Sequence, residues 1–128
     1  MKTLLDTHAL LWLITGDPRL SRKAKDVFVD QENDLFFSAA GFWEIGFKKS
    51  LGKLSLQPGW PDVVRDEMNA NAIHWLAIDM THCAESAKLP FCHRDPFDRM
   101  LIAQAMVENM QILSRDTRFS DYEITRIW

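Results

Sequence analysis

HRDPFDRMLIAQA, His93 to Ala105, is the stretch on which the fold turns. Asp95 followed by Pro96 has the form of a helix start: proline suits the first turn, where a missing N–H costs nothing, and the acid before it can accept the free amides. Beyond Asp98 the residues Met100, Leu101, Ile102, Ala103, Ala105 and Met106 are apolar on too many sides for a surface helix. This helix is therefore expected to lie buried against a sheet, with its acidic N-terminus facing outward. Taken in isolation, Asp95 and Asp98 are an N-cap and a third helical residue, a variant of the capping box that also favours the helix dipole. Acids elsewhere in the chain give the pair a second use.

Working outward, Gln111–Ser114 (QILS) reads as a strand that ends just before Asp116, and Ile124–Trp128 as a final strand. On the other side, Ile73–Ile78 is a strand and Asp79 or Thr81 begins a short helix through Lys88. Leu51–Pro61 is loop-like, followed by a helix from about Asp62 to Asn71. DLFFS, Asp34–Ser38, is a strand leading into a helix from Ala39 to about Ser50, with Gly52 as the stop. Ser21 caps a helix from Arg22 to about Gln31, and KTLLD, Lys2–Asp6, is a strand that passes directly into the helical spacing of HALLWLI. Strands alternate with helices or helix pairs, the pattern of a parallel sheet covered on both faces. The expected fold is α/β, three layers (α/β/α) around a central, mainly parallel sheet, in a single domain spanning residues 1–128. His74 and His82 have no partners in spacing and are expected to be structural.

The 47% hydrophobic and 26% charged residues suit one soluble globular domain. A net charge of −3 and a pI near 5.7 argue against broad nonspecific attraction to nucleic acid, while leaving room for a local basic rim. Cys83 and Cys92 lack metal-ligand spacing, nothing resembles a secretory signal, and no apolar run is long enough to span a bilayer. A cytoplasmic protein with free thiols and no membrane association is expected.

Asp6 and Asp116 fall at the carboxyl ends of strands, Glu44 a turn or so into a helix after another strand, and Asp98 at a helix opening. In a parallel sheet these positions face one edge, where ligand crevices form. Each has a plainer role on its own: Asp6 as an N-cap, Glu44 as a surface ion pair with Lys48, worth about 0.3 to 0.5 kcal/mol. Yet Glu44 stands amid Phe42, Trp43, Ile45 and Phe47, with Ala40 and Gly41 one turn earlier leaving open space above it. Together the acids would repel one another unless a cation joined them, and oxygen-only ligands favour Mg²⁺ or Mn²⁺. Such pockets hydrolyse phosphodiesters. Arg94, Arg99, Arg115 and Arg118, with Lys48 and Lys53 farther along, are candidates for holding the phosphate backbone, though any one of them could equally be a surface ion pair.

LLDTHALLW from Leu4, SAAGFWEIGFKKSLGKL from Ser38, HRDPFDRMLIAQA from His93 and ILSRDTRF from Ile112 resemble, in order and spacing, the PIN-domain ribonucleases, especially the VapC-type toxins of toxin–antitoxin pairs. The resemblance covers the whole chain. It implies that Asp6, Glu44, Asp98 and Asp116 bind Mg²⁺ or Mn²⁺ and carry the catalysis, with Asp95 and Ser114 as support. It further implies an endoribonuclease acting on RNA, inhibited by a cognate antitoxin, commonly a homodimer, with the N-terminal strand central in its sheet. Two positions depart from the pattern: Gly41 stands where a small hydroxyl residue is common, and Ser114 where Thr is usual. The alternative is a noncatalytic PIN-fold protein that binds an antitoxin or RNA and uses its acids for partner arginines. Metal-dependent cleavage separates the two.

Overall fold

The computed structural model describes residues 1–128. Five strands, β1 (Lys2–Leu5), β2 (Asp34–Ser38), β3 (Ile73–Leu76), β4 (Gln111–Leu113) and β5 (Arg126–Ile127), form one sheet in the order β3-β2-β1-β4-β5. Every pairing is parallel, and β1 is central, with Leu4 opposite Phe36 on one side and Ile112 on the other. The helices are α1 (Thr7–Thr15), α2 (Arg22–Val29), α3 (Ala39–Ser50), α4 (Trp60–Ala70), α5 (Met80–Lys88) and α6 (Pro96–Glu108). A short 3₁₀ turn, Thr117–Asp121, follows β4. No helix is long and apolar enough to cross a membrane.

Strand alternation sorts the core into two faces. Leu5, Leu35, Phe37, Ile73 and Leu113 pack with α1, α2 and α4, and with Ile45 of α3. Leu4, Phe36, Leu76 and Ile112 pack instead with Leu101, Ile102 and Ala105 of α6. The three-layer α/β/α architecture follows directly from this alternation. Leu101 and Ile102 are essentially inaccessible, each worth about 1.5 to 3 kcal/mol of burial.

Helix α6 begins as its sequence dictates. Asp95 Oδ1 accepts the amides of Phe97 and Asp98 at 2.9 and 3.1 Å, and Pro96 occupies the first turn. Elsewhere the element ends shift by a few residues for local reasons. Asp6 leaves β1 to cap α1, accepting the Thr7 amide, and α1 closes at Gly16, whose φ of 65° is left-handed. Helix α2 stops at Val29, short of Gln31, and α4 starts at Trp60 because Pro61 fits its first turn. Strand β3 ends at Leu76, two residues earlier than expected, and β5 shrinks to Arg126–Ile127. Cys83 and Cys92 are free and exposed.

Candidate active site

From central β1 the chain goes to β2 on one side, while β4 lies on the other, so a crevice opens at the carboxyl edge of the sheet. Asp6, Glu44, Asp95, Asp98 and Asp116 line one cleft of about 480 Å³ there. Asp6 is buried at the end of β1, with Oδ1 accepting the Thr7 amide and Oδ2 the Ser114 hydroxyl, each at 2.7 Å. Burial pushes its carboxyl above the usual range, against the hydrogen bond from Ser114 and the charge of His8, while Glu44 adds to the rise. Ser114 Oγ also accepts the amide of Asp116 at 3.0 Å, tying two of the acids to the end of β4.

Glu44 is only 3% exposed. Its Oε1 accepts the Thr7 hydroxyl at 2.6 Å, and its Oε2 pairs with Lys48. It is thus both the interior carboxylate and the i,i+4 ion-pair partner that the helix spacing allows. Burial opposes the charge on Lys48, but the hydrogen bond and charge of Glu44, helped by Asp95 and Asp98, outweigh it and leave the Lys48 pKa raised.

Asp98 is raised as well. Burial, followed by the negative charges of Asp6, Asp95, Glu44 and Asp116, pushes its carboxyl up to about 8. Asp116 moves the other way, lowered by the Arg118 guanidinium, whose Nε lies 3.0 and 3.2 Å from its two oxygens and whose Nη2 lies 2.7 Å from Oδ2.

His93 joins these acids. Its Nδ1 accepts the Asp95 amide at 3.4 Å, which puts the ring proton of the neutral imidazole on Nε2. That Nε2 is buried 2.7 Å from Asp98 Oδ2 and 4.0 Å from Asp116 Oδ2, yet no acceptor meets it with hydrogen-bond geometry. His93, Asp98 and Asp116 offer ligand atoms within 4.8 Å of one another.

The basic residues divide. Arg115 and Arg118 line the cleft, together with Lys48 and Arg19. Arg99, a candidate for phosphate contact from sequence, is elsewhere: it is buried, and its guanidinium donates to the carbonyls of Ser86, Leu89, Pro90 and His93 at 3.0 to 3.2 Å. The guanidinium thereby ties α6 to the end of α5 and to the segment between the two helices, with Tyr122 Oη adding a second donor to the Pro90 carbonyl at 3.1 Å. Arg94 is exposed and borders a separate apolar recess with Trp43 and Phe97. Lys53 does not reach the cleft. The space above Gly41 is also filled rather than open. A Cβ there would meet the Phe37 ring at 2.7 and 2.8 Å and Thr7 Oγ1 at 3.2 Å, so a serine at this position would have to displace a fully buried ring.

Thr7, His93 and Arg19 escaped the sequence reading as site residues. Thr7 and His93 lie inside the quoted motifs, where adjacency to Asp6 and to the α6 opening was their one signal. Arg19 had none, because it reaches the cleft through the turn after α1.

The PIN-domain family model matches residues 3–124. This chain belongs to the PIN-domain family. Its structure is similar to a chain of VapBC2 from Rickettsia felis bound to a DNA fragment from their promoter, with a TM-score of 0.76, 12% identity, and coverage of 99% of this chain and 98% of that one. A chain of DNA-bound VapBC from Salmonella typhimurium matches with a TM-score of 0.73, 17% identity and coverage of 99% and 97%. VapBC-1 from nontypeable Haemophilus influenzae matches at 0.66, 17% identity and the same coverage. No curated protein is significantly similar in sequence. At these identities the structural likenesses establish the fold alone.

Proposed function

We propose that this PIN-domain protein is a divalent-metal-dependent endoribonuclease and the toxin of a toxin–antitoxin pair. The observation that carries the proposal is the convergence of Asp6, Glu44, Asp98 and Asp116, from four separate segments, on one cleft where burial, followed by like charges, pushes the Asp98 carboxyl up to about 8. A cluster of that kind fits a hard cation: its donors are carboxylate oxygens, and a cation would relieve the repulsion that raises Asp98. Asp6, Glu44, Asp98 and Asp116 would hold Mg²⁺ or Mn²⁺. When bound, the metal supplies an activated water and stabilises the leaving oxygen of the phosphodiester.

The chain's own residues set up that chemistry. Thr7 orients Glu44 through Oε1, and Ser114 orients Asp6 while holding the Asp116 amide. Asp95 caps α6 and so fixes where Asp98 points. His93 places Nε2 2.7 Å from Asp98 Oδ2 and 4.0 Å from Asp116 Oδ2. Lys48 and Arg118 offset part of the acidic charge that would otherwise repel RNA. Family neighbours solved as toxin–antitoxin complexes support a cognate antitoxin as partner. A homodimer working in the cytoplasm completes the proposal, with the two exposed free thiols in keeping with a reducing compartment.

The noncatalytic alternative draws on one observation: Lys48 and Arg118 already sit on the acids, so the cleft accepts basic side chains as well as metal. Cleavage of total RNA by pure protein with Mg²⁺, Mn²⁺ or EDTA, with Asp98→Asn in parallel, decides between them. Discrete fragments that require both metal and Asp98 are the expected result. Equal inertness of both proteins, with Mn²⁺ still bound by the unsubstituted one, would favour the binding protein.

A further inference from the structure

Part of the cleft lining is built on a tryptophan. Trp12 of α1 is 9% exposed, and two guanidinium groups lie over its ring, Arg19 with Cζ 4.7 Å from the centroid and Arg115 at 5.9 Å. His8, one turn earlier on α1, meets the same indole at 5.7 Å, and Trp128 backs it edge-on at 5.7 Å. His8, Trp12, Arg19 and Arg115 all line the cleft. An indole face attracts cations through its quadrupole, so it fixes two flexible side chains that would otherwise sweep the solvent.

The chain repeats one device on either side of this wall. Asp17-Pro18-Arg19 has the same bonding as Asp116-Thr117-Arg118: amide to Oδ1 at 2.9 Å in both, Nε to Oδ1 at 3.1 and 3.0 Å, Nη2 to Oδ2 at 2.8 and 2.7 Å. The consequences differ. Arg118 closes on an acid of the cluster, whereas Asp17 lies outside the cleft and orients Arg19 with Nη1 left unpaired. Arg115 is exposed and makes no ion pair or side-chain hydrogen bond, an unpaired cation in a chain of net charge −3.

We propose that Arg19 and Arg115, held by Trp12, form a phosphate-binding wall that takes a backbone phosphodiester of single-stranded RNA next to the one at the acids, with Trp12 as a positioning residue. This rests on the ribonuclease proposal above. The guanidinium fork matches a phosphate, and a continuous phosphodiester chain is the anion that reaches both this wall and the adjoining acids. The wall supplies the attraction that the acidic cluster lacks, and because it contacts only the backbone it adds affinity without base preference.

The test is anisotropy of a fluorescein-labelled oligouridylate titrated with the full unsubstituted chain in EDTA, where the proposed cleavage does not run, over a series of KCl concentrations. Arg19→Gln and Arg115→Gln are each expected to weaken binding severalfold and to flatten the plot of log affinity against log salt by about 0.7, one single-strand phosphate contact. Trp12→Leu, which keeps both charges but loses the ring, is expected to weaken binding by about threefold with the slope unchanged. Arg65→Gln, at an exposed guanidinium of α4 beside Asp62, should change neither. Binding by the parent with a slope that neither arginine variant alters would overturn the wall and leave the ribonuclease proposal standing. A parent that binds no RNA would also overturn the wall, while cleavage of total RNA in Mn²⁺ decides the ribonuclease proposal separately.

Discussion

Two clusters of one histidine and two carboxylates are built into this protein, and they behave differently. At the α5–α6 contact, Asp79, His82 and Glu108 bring ligand atoms within 4.8 Å of one another, as His93, Asp98 and Asp116 do at the cleft. Every polar atom of His82 is engaged: Nδ1 accepts the Asp79 amide at 3.1 Å in a reciprocal capping box, and Nε2 meets Glu108 Oε1 at 3.1 Å. Gln104 adds a longer contact to Nδ1 at 3.4 Å. His93 sits against its acids with Nε2 unsatisfied, in a group whose central carboxylate is driven up by burial and then by its neighbours. The first cluster is closed and holds two helices together. The second is electrostatically incomplete, which is how a site differs from a fastening.

Ligand loss should separate the clusters most sharply. Asp98→Asn is expected to weaken Mn²⁺ binding, measured by calorimetry, on the order of 100-fold or more and to abolish cleavage. His82→Ala should leave the Mn²⁺ affinity unchanged. Comparable losses in both variants would mean that the α5–α6 cluster also binds metal, and the distinction would collapse.

Acid titration comes next. Asp98 has a carboxyl near 8 in the folded protein against a reference of 3.8, so the folded state holds a proton that the unfolded chain has released between those values. The contribution of this group to stability in EDTA should be full below about pH 4 and should be lost as pH rises toward 8, by on the order of a few kcal/mol. Saturating Mn²⁺, or Asp98→Asn, should flatten the fall. Urea unfolding across that range reads it directly, and stability that climbs instead would remove the like-charge account of the cleft.

The closed cluster should register in stability alone. His82→Ala is expected to cost about 2 kcal/mol by urea unfolding, because it opens a cavity and strips the Asp79 amide and Glu108 of partners. Glu108→Gln, which keeps an acceptor and a similar shape for His82, should cost less than about 1 kcal/mol. A larger loss for Glu108→Gln than for His82→Ala would place the charge of Glu108, rather than the hydrogen bonds of His82, at the centre of that contact.

The amino-acid sequence by itself determined the elements and the edge. The apolar run after Asp98, the Asp95-Pro96 start and the alternation in KTLL and DLFFS are local patterns, because backbone periodicity and caps act over a few residues. They sufficed to place α6, β1 and β2, and a parallel sheet then sends Asp6, Glu44, Asp98 and Asp116 to one side. What only the tertiary structure decided is which side chains meet. Arg99 and Arg115 are equally plausible phosphate contacts as letters, yet one is buried among backbone carbonyls and the other stands free over Trp12. Gly41 looks like lost bonding capacity until the Phe37 ring is found lying against it. His93 stands inside a quoted motif and His82 does not, but that Nε2 of His82 is satisfied and that of His93 orphaned leaves no mark in the sequence. The roles of such residues depend on partners distant in the chain, and packing and desolvation, unlike helix and strand periodicity, leave no repeat in the sequence to read.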